Sequence, residues 1–170
     1  MGSGVFIMAG LLSGVAALLS YFGQLIAIRG VQPDLVLLLL VFYANSEGSY
    51  RAQGTGIIVG LVEDFMSLAP LGFHLLLRAT VGLLFGQSRN KIFLDPFIMP
   101  ALMVFAAMAV KALYGLIIGG IFGIESVTEH VLSVSYLIEV GYNVLLAPLL
   151  FLFYGLMKPL VGTRGIRVLG

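Results

Sequence analysis

Residues 97–122 read FIMPALMVFAAMAVKALYGLIIGGIF, a run carrying one charged side chain, Lys111. A helix crossing the hydrocarbon of a bilayer needs about 20 apolar residues, with a range of roughly 17–25. Six stretches approach that length: 5–28, 33–46, 54–69, 71–87, 97–122 and 133–158. No polar stretch of the 170-residue chain is long enough to hold a water-soluble module. Hydrophobic residues make up 60% and charged residues 10%, against about 25% charged in ordinary globular domains. So little polar material cannot cover a soluble core. The expected fold is an all-α polytopic membrane protein, a single domain built as a six-transmembrane-helix bundle.

Several function classes fall away at once. A net charge of +1 with no basic patch interleaved with aromatics argues against nucleic acid. The absence of cysteine excludes disulfides and thiolate metal sites. His74 and His130 have no ligand-like spacing around them, so no metal or cofactor is expected. The opening MGSGVFIMAG has no basic n-region, and its apolar run is too long for a signal h-region, so it reads as a span. Residues 54–60, GTGIIVG, lack the following Lys-Ser/Thr of a phosphate loop. Glu63 and Asp64 are adjacent on a helix and point about 100° apart, so they cannot jointly act on one bond. No nucleophile–histidine set can be assembled, and an enzyme is not expected.

The breaks between spans have local causes. Residues 29–34, RGVQPD, place Pro33 near a first helical position and Gln32 or Asp34 near the cap. Pro70-Leu71-Gly72 is a tight turn that makes 54–87 a helical hairpin. Asp95-Pro96 and the segment from Ile124 to His130 punctuate the remaining spans. The second, third and fourth spans are short; 54–69 extends only about 24 Å at 1.5 Å per residue.

Lysine and arginine placement sets the orientation. With six spans, Arg51, Arg89, Lys91, Lys158, Arg164 and Arg167 fall on the side of the N-terminus, and Arg29 falls alone on the other with Glu125, Glu129 and His130. Both termini are therefore expected in the cytoplasm. A five-span arrangement, with 33–46 lying at the interface, is the alternative. Tyr21, Tyr43, Tyr50, Tyr136 and Tyr154 near span ends read as interfacial anchors.

With that topology, Glu63 and Asp64 lie about 8 Å from the outer end of their span and Arg78 about 9 Å from the start of the next. Glu139 falls at a similar depth. Charges within a membrane face the bundle interior and pair, so Asp64 or Glu63 is expected to pair with Arg78. Lys111 can snorkel to Glu139 or Asn143. Structural pairing and a role in transport or partner switching both remain open for this layer. Ala107, Lys111, Gly115, Gly119 and Gly123 form a small-residue stripe, and Gly56 and Gly60 form a shorter one; such ladders let helices approach closely. Internal packing is favoured over a partner face. Pro148 reads as a kink in the last span.

Three of these features occur together in a recognisable order. Gln32-Pro33-Asp34-Leu35 opens a leucine-rich short span, Gly56-x-x-x-Gly60-x-x-x-Asp64 follows, and then Pro70-Leu71-Gly72. With a last span carrying Asn143, Pro148 and Lys158, the chain resembles the bacterial rod shape-determining protein MreD family over about residues 5 to 160. Glu63 departs from the pattern, where an apolar residue usually adjoins the aspartate. The resemblance implies a non-enzymatic inner-membrane subunit of the elongasome (Rod complex). It implies binding to MreC, a single-span protein with a periplasmic domain. It also implies association with MreB, RodA and the class B transpeptidase in side-wall peptidoglycan synthesis. The implied fold is similar to the six-helix S-components of energy-coupling-factor transporters. The resemblance supplies no catalytic or cofactor-binding residues. A substrate-binding S-component of a vitamin transporter, with the outer charged layer as ligand site, is the alternative function.

Overall fold

The computed structural model describes residues 3–67, 69–89 and 97–161. Lys91, the Asp95-Pro96 break, Arg164 and Arg167 lie outside the described residues, as does the side chain of Lys158. Among the described residues there are seven α-helices: α1 (Ser3–Phe22), α2 (Leu35–Glu47), α3 (Ser49–Met66), α4 (Phe73–Gly86), α5 (Ile98–Phe122), α6 (Glu125–Val131) and α7 (Val134–Val161).

α2 is the central rod. Its sequence LVLLLLVFYANSE is apolar nearly all round, and every residue from Val36 to Ser46 is buried. A helix without a polar face belongs inside a bundle, and α2 packs against α1, α3, α4, α5 and α7. At about 20 Å for 13 residues, it is shorter than a hydrocarbon core of about 30 Å. Enclosure removes the conflict, because its ends meet protein groups rather than acyl chains. Such a helix is not one lying on a membrane surface, which is what the five-span arrangement requires.

Several boundaries differ from those expected. α1 stops at Phe22, and a 3-10 turn over Gly23–Leu25 leads into a tight reversal at Ile28–Val31. α3 begins at Ser49 rather than near residue 54, because the bend from α2 is completed at one residue, Gly48, with φ of 90°. The polar residues after it continue the helix, and Arg51 pairs back to Glu47 across the bend. The segment after Ile124 is the short helix α6 and not an irregular break. α7 continues through Pro148. Pro70-Leu71-Gly72 is the expected turn: Phe73 N–H donates to Pro70 O at 3.1 Å, and Gly72 takes φ of 95°, the geometry a type II turn reserves for glycine.

α3 and α4 form the most extensive helix pair, and glycine makes it so. A Cβ on Gly56 would lie 2.5 Å from Arg78 O, and one on Gly60 would lie 2.5 Å from Leu75 Cα. α4 answers with its own four-residue step. A Cβ on Gly82 would lie 2.6 Å from the Ala52 carbonyl, and one on Gly86 would lie 2.3 Å from Ser49 Cα. The two backbones therefore touch along their whole length. The Gly115–Gly119 stripe of α5 is also filled internally, since Cβ atoms there would meet Val131 and Thr128 of α6.

The outward side chains are apolar. Leu102, Phe105, Leu113 and Ile121 of α5 and Leu137, Leu145, Leu149 and Leu156 of α7 are all exposed, where a water-facing helix would be polar. Ile98–Phe122 and Val134–Leu156 are long and apolar enough to cross a membrane; Gly4–Leu19, Leu35–Glu47 and Phe73–Gly86 are shorter apolar helices. The tyrosine belt is corrected in part. Tyr21 and Tyr50 are exposed, but Tyr43, Tyr136 and Tyr154 are buried. They sit on inward helix faces, with Tyr154 against Phe42 and the Tyr136 hydroxyl donating to Met108 O.

Gly60→Leu is expected to destabilise the protein in detergent by about 1–3 kcal/mol or more, because the opposing atoms are backbone. Gly141→Ala, which faces open space on α7, is expected to be neutral or to stabilise by up to about 1 kcal/mol. Thermal unfolding followed by size-exclusion retention separates the two.

Candidate functional site: a buried acid–base chain

Asp34 follows Pro33 and sits immediately before α2, where its Oδ1 accepts from Leu37 N–H at 2.9 Å. That bond is an ordinary N-cap. The same carboxylate has two further partners from distant parts of the chain. Arg78, on α4, donates from Nη2 to Asp34 Oδ1 at 2.9 Å and from Nη1 to Oδ2 at 3.2 Å. Lys111, on α5, places Nζ 2.7 Å from Asp34 Oδ2.

The chain continues in both directions. Arg78 turns its other edge to Glu63 of α3, with Nε to Oε2 at 2.7 Å and Nη2 to Oε1 at 2.9 Å. Lys111 Nζ also donates to Glu139 Oε1 of α7 at 2.6 Å, and His130 Nε2 of α6 lies 3.2 Å from Glu139 Oε2. The order is Glu63, Arg78, Asp34, Lys111, Glu139, alternating in sign, with His130 at one end. Arg78 is 3% exposed and Glu139 5%. Charges so buried are tolerable only when paired and hydrogen-bonded, and a planar guanidinium forked onto two carboxylates satisfies both conditions.

Of the two acids offered as partners for Arg78, Glu63 makes the pair and Asp64 does not. Asp64 is the buried cap of α4 instead. Its Oδ2 accepts from Gly72 N–H at 2.8 Å and Leu75 N–H at 3.2 Å, and its Oδ1 accepts from His74 N–H at 2.8 Å. His74 Nδ1 lies 3.0 Å from the same Oδ1. Adjacent positions on α3 thus serve two separate tasks, as a helical turn dictates. Three donors at a helix N-terminus also place the carboxylate at the positive end of the α4 dipole.

Lys111 reaches Glu139, but Asn143 is engaged elsewhere: its Oδ1 accepts from Asp34 N–H at 2.9 Å, and its Nδ2 faces Met108 Sδ at 3.4 Å. The fold therefore brings together Asp34, Arg78, Lys111, Glu139 and Asn143, with Asp64 at the neighbouring α3–α4 turn. Gly56 and Gly60 lie under α4, Gly115 and Gly119 lie under α6, and half-buried Pro148 takes no part in the chain. His130, expected as an exterior loop residue, stands on α6 beside Glu139. Sequence reasoning had Glu63 as one of two partners for Arg78, but it missed the ion pairs of Asp34 and the Gly82–Gly86 step, whose four-residue spacing was visible.

The ion chain borders a cavity of about 540 Å³. Its lip is the segment Arg29–Pro33, and its walls include Ser67, His74, His130 and Ser135. Among the described residues no three His, Asp or Glu side chains are placed to hold a metal ion. Each carboxylate of the chain is held by a cation, which suits positioning of helices better than proton transfer.

The model of one protein family, described as rod shape-determining protein MreD, matches residues 3–158. No match was found among curated proteins or among solved structures. The likeness to energy-coupling-factor S-components and the vitamin-transporter alternative therefore gain no support from these comparisons.

Arg78→Met, which leaves half-buried Glu63 without a cation and Asp34 with Lys111 alone, is expected to cost about 3–5 kcal/mol. Arg78→Lys should recover part of that, since it restores charge but not the fork. Asp64→Ala should cost about 0.5–2 kcal/mol or somewhat more, as a lost cap does. Unfolding in mixed detergent micelles ranks the three; equal stability of Arg78→Met and wild type would contradict the ion chain.

Proposed function

The chain belongs to the family of rod shape-determining protein MreD, and on that premise we propose that it is a non-enzymatic inner-membrane subunit of the elongasome. Family membership makes it a membrane protein of the cell-shape machinery. The finer reading is that the bundle binds MreC through its membrane-embedded face. Through that contact it supports MreB, RodA and the class B transpeptidase in side-wall peptidoglycan synthesis.

The observation that carries this reading is the family match across residues 3–158, nearly all of the described chain. The internal pairing of the charged layer is consistent with it. Ions committed to one another fix helix register and leave a stiff body for a partner to dock on. Arg51 and Arg89 stand at the same end of the bundle, since the Arg89 side chain packs on Gly48 at the α2–α3 bend. That arrangement favours a cytoplasmic position for this end and for both termini.

Affinity purification from membranes with quantitative mass spectrometry is expected to recover a single-span partner with a periplasmic coiled coil at a fixed ratio. Depletion of the protein is expected to round the cells while vitamin uptake stays normal. Asp64→Ala and Gly119→Leu loosen the α3–α4 and α5–α6 contacts and should lower partner recovery at unchanged membrane amounts. Full recovery with both would remove these positions from partner binding. Recovery of no such partner from wild type would overturn the reading.

A further inference from the structure

The ion chain is unbalanced, and both of its ends face the cavity. Asp34, Glu63 and Glu139 oppose Arg78 and Lys111, which leaves one negative charge when the imidazoles are neutral. Hydrogen bonding leans the same way. Asp34 is saturated by Leu37, Arg78 and Lys111. Each oxygen of Glu63 has one donor, from Arg78, and each oxygen of Glu139 has one contact, from Lys111 or His130. A carboxylate offers about four lone-pair sites, so both ends of the chain retain acceptor capacity inside the cavity. Such acceptors suit a small cation that carries N–H donors.

The lip has the opposite sign. Ile28 and Val31 exchange two backbone hydrogen bonds of 2.9 Å, closing a turn in which Arg29 has φ of 52° and Gly30 φ of 79°. That turn suits Asn-Gly; a left-handed arginine costs about 1–2 kcal/mol, and strain of this kind gathers at functional sites. Arg29 lines the cavity, is exposed, and has no ion-pair partner among the described residues. Its free guanidinium is shaped for a phosphate. Ala16 and Leu19 line the same cavity, and Tyr21, Phe22, Leu25 and Ile28, in the segment that runs from α1 to Arg29, are exposed, so apolar surface adjoins the cationic lip.

We propose that this cavity binds the headgroup of a phospholipid bearing a primary ammonium, of the phosphatidylethanolamine type. The ammonium donates to the end carboxylates of the ion chain, the phosphate sits on Arg29, and the acyl chains leave across that apolar surface. A cavity of about 540 Å³ falls within the usual range for small-molecule sites, roughly 300–1,000 Å³. A quaternary ammonium has the charge but no N–H, so phosphatidylcholine cannot fill the spare lone pairs. This binding site is additional to the partner-binding role and does not depend on it.

The test is native mass spectrometry of the full chain in detergent, titrated separately with dioleoyl phosphatidylethanolamine, phosphatidylcholine, phosphatidylglycerol and soluble glycerophosphoethanolamine. Phosphatidylethanolamine is expected to bind about tenfold or more tightly than the other two lipids. Arg29→Ala, on an exposed turn, should weaken it about tenfold with an unchanged unfolding midpoint, and Arg29→Lys should restore part of the loss. Equal binding of phosphatidylethanolamine and phosphatidylcholine would overturn the ammonium assignment, and indifference to Arg29→Ala would overturn the phosphate assignment. Glycerophosphoethanolamine binding as tightly as the lipid would overturn the lipid source in favour of a soluble one. Because Arg29→Ala should leave recovery of the membrane partner intact, failure here is distinguishable from failure of the scaffold reading.

Discussion

One carboxylate holds the bundle's register. Asp34 caps α2, receives the forked guanidinium of α4 and the ammonium of α5, and has its own backbone N–H held by Asn143 of α7. Four helices are thereby located at a single point. Hydrophobic contacts alone cannot do this in a chain whose apolar faces point both inward and outward, because leucine is as content against lipid as against leucine. A buried charge has no such indifference. It must find its partner, and this arrangement of the helices supplies two cations to the same aspartate. This is the sense in which a costly buried ion pair contributes uniqueness rather than net stability.

The α3–α4 hairpin solves the companion problem of bringing Arg78 and Glu63 within reach. Four glycines, two on each helix, let the backbones meet. Asp64 fixes the turn by accepting the free N–H groups at the start of α4. Close approach and capping act on the same pair of helices from the middle and from the end. Loosening either one would move the guanidinium away from its two carboxylates, so glycine packing, helix capping and ion pairing are linked in one structural unit.

These features occur in a membrane protein of the rod shape-determining MreD family. A stiff centre around α2 leaves the outward faces of α5 and α7 free for lipid or for a partner helix. At the opposite extreme from that apolar surface lies the polar cavity, bounded by the strained Arg29 turn. The same alternating charges that order the helices also line that cavity.

Much of this was legible in the sequence because the cause was local. Length and apolarity announced the helices, Pro70-Leu71-Gly72 announced the turn, and Gly56 with Gly60 announced close packing. Scarcity of charge required Arg78 and Lys111 to be paired. Partner choice was not local. Glu63 and Asp64 are equivalent by depth, and only the rotation of α3 against α4 gives one to the arginine and the other to a helix end. Asp34 looked like a cap because capping is all its neighbours reveal; its bonds to residues 44 and 77 positions away exist only after the helices assemble. The buried tyrosines follow the same rule, since span ends are visible in sequence while the direction a helix face points is set by what packs against it. Sequence alone determined which segments become helices and that their charges must pair, because solvation energy depends on composition. Tertiary structure decided which charges pair and where a cavity remains, because those depend on the relative rotation and depth of helices.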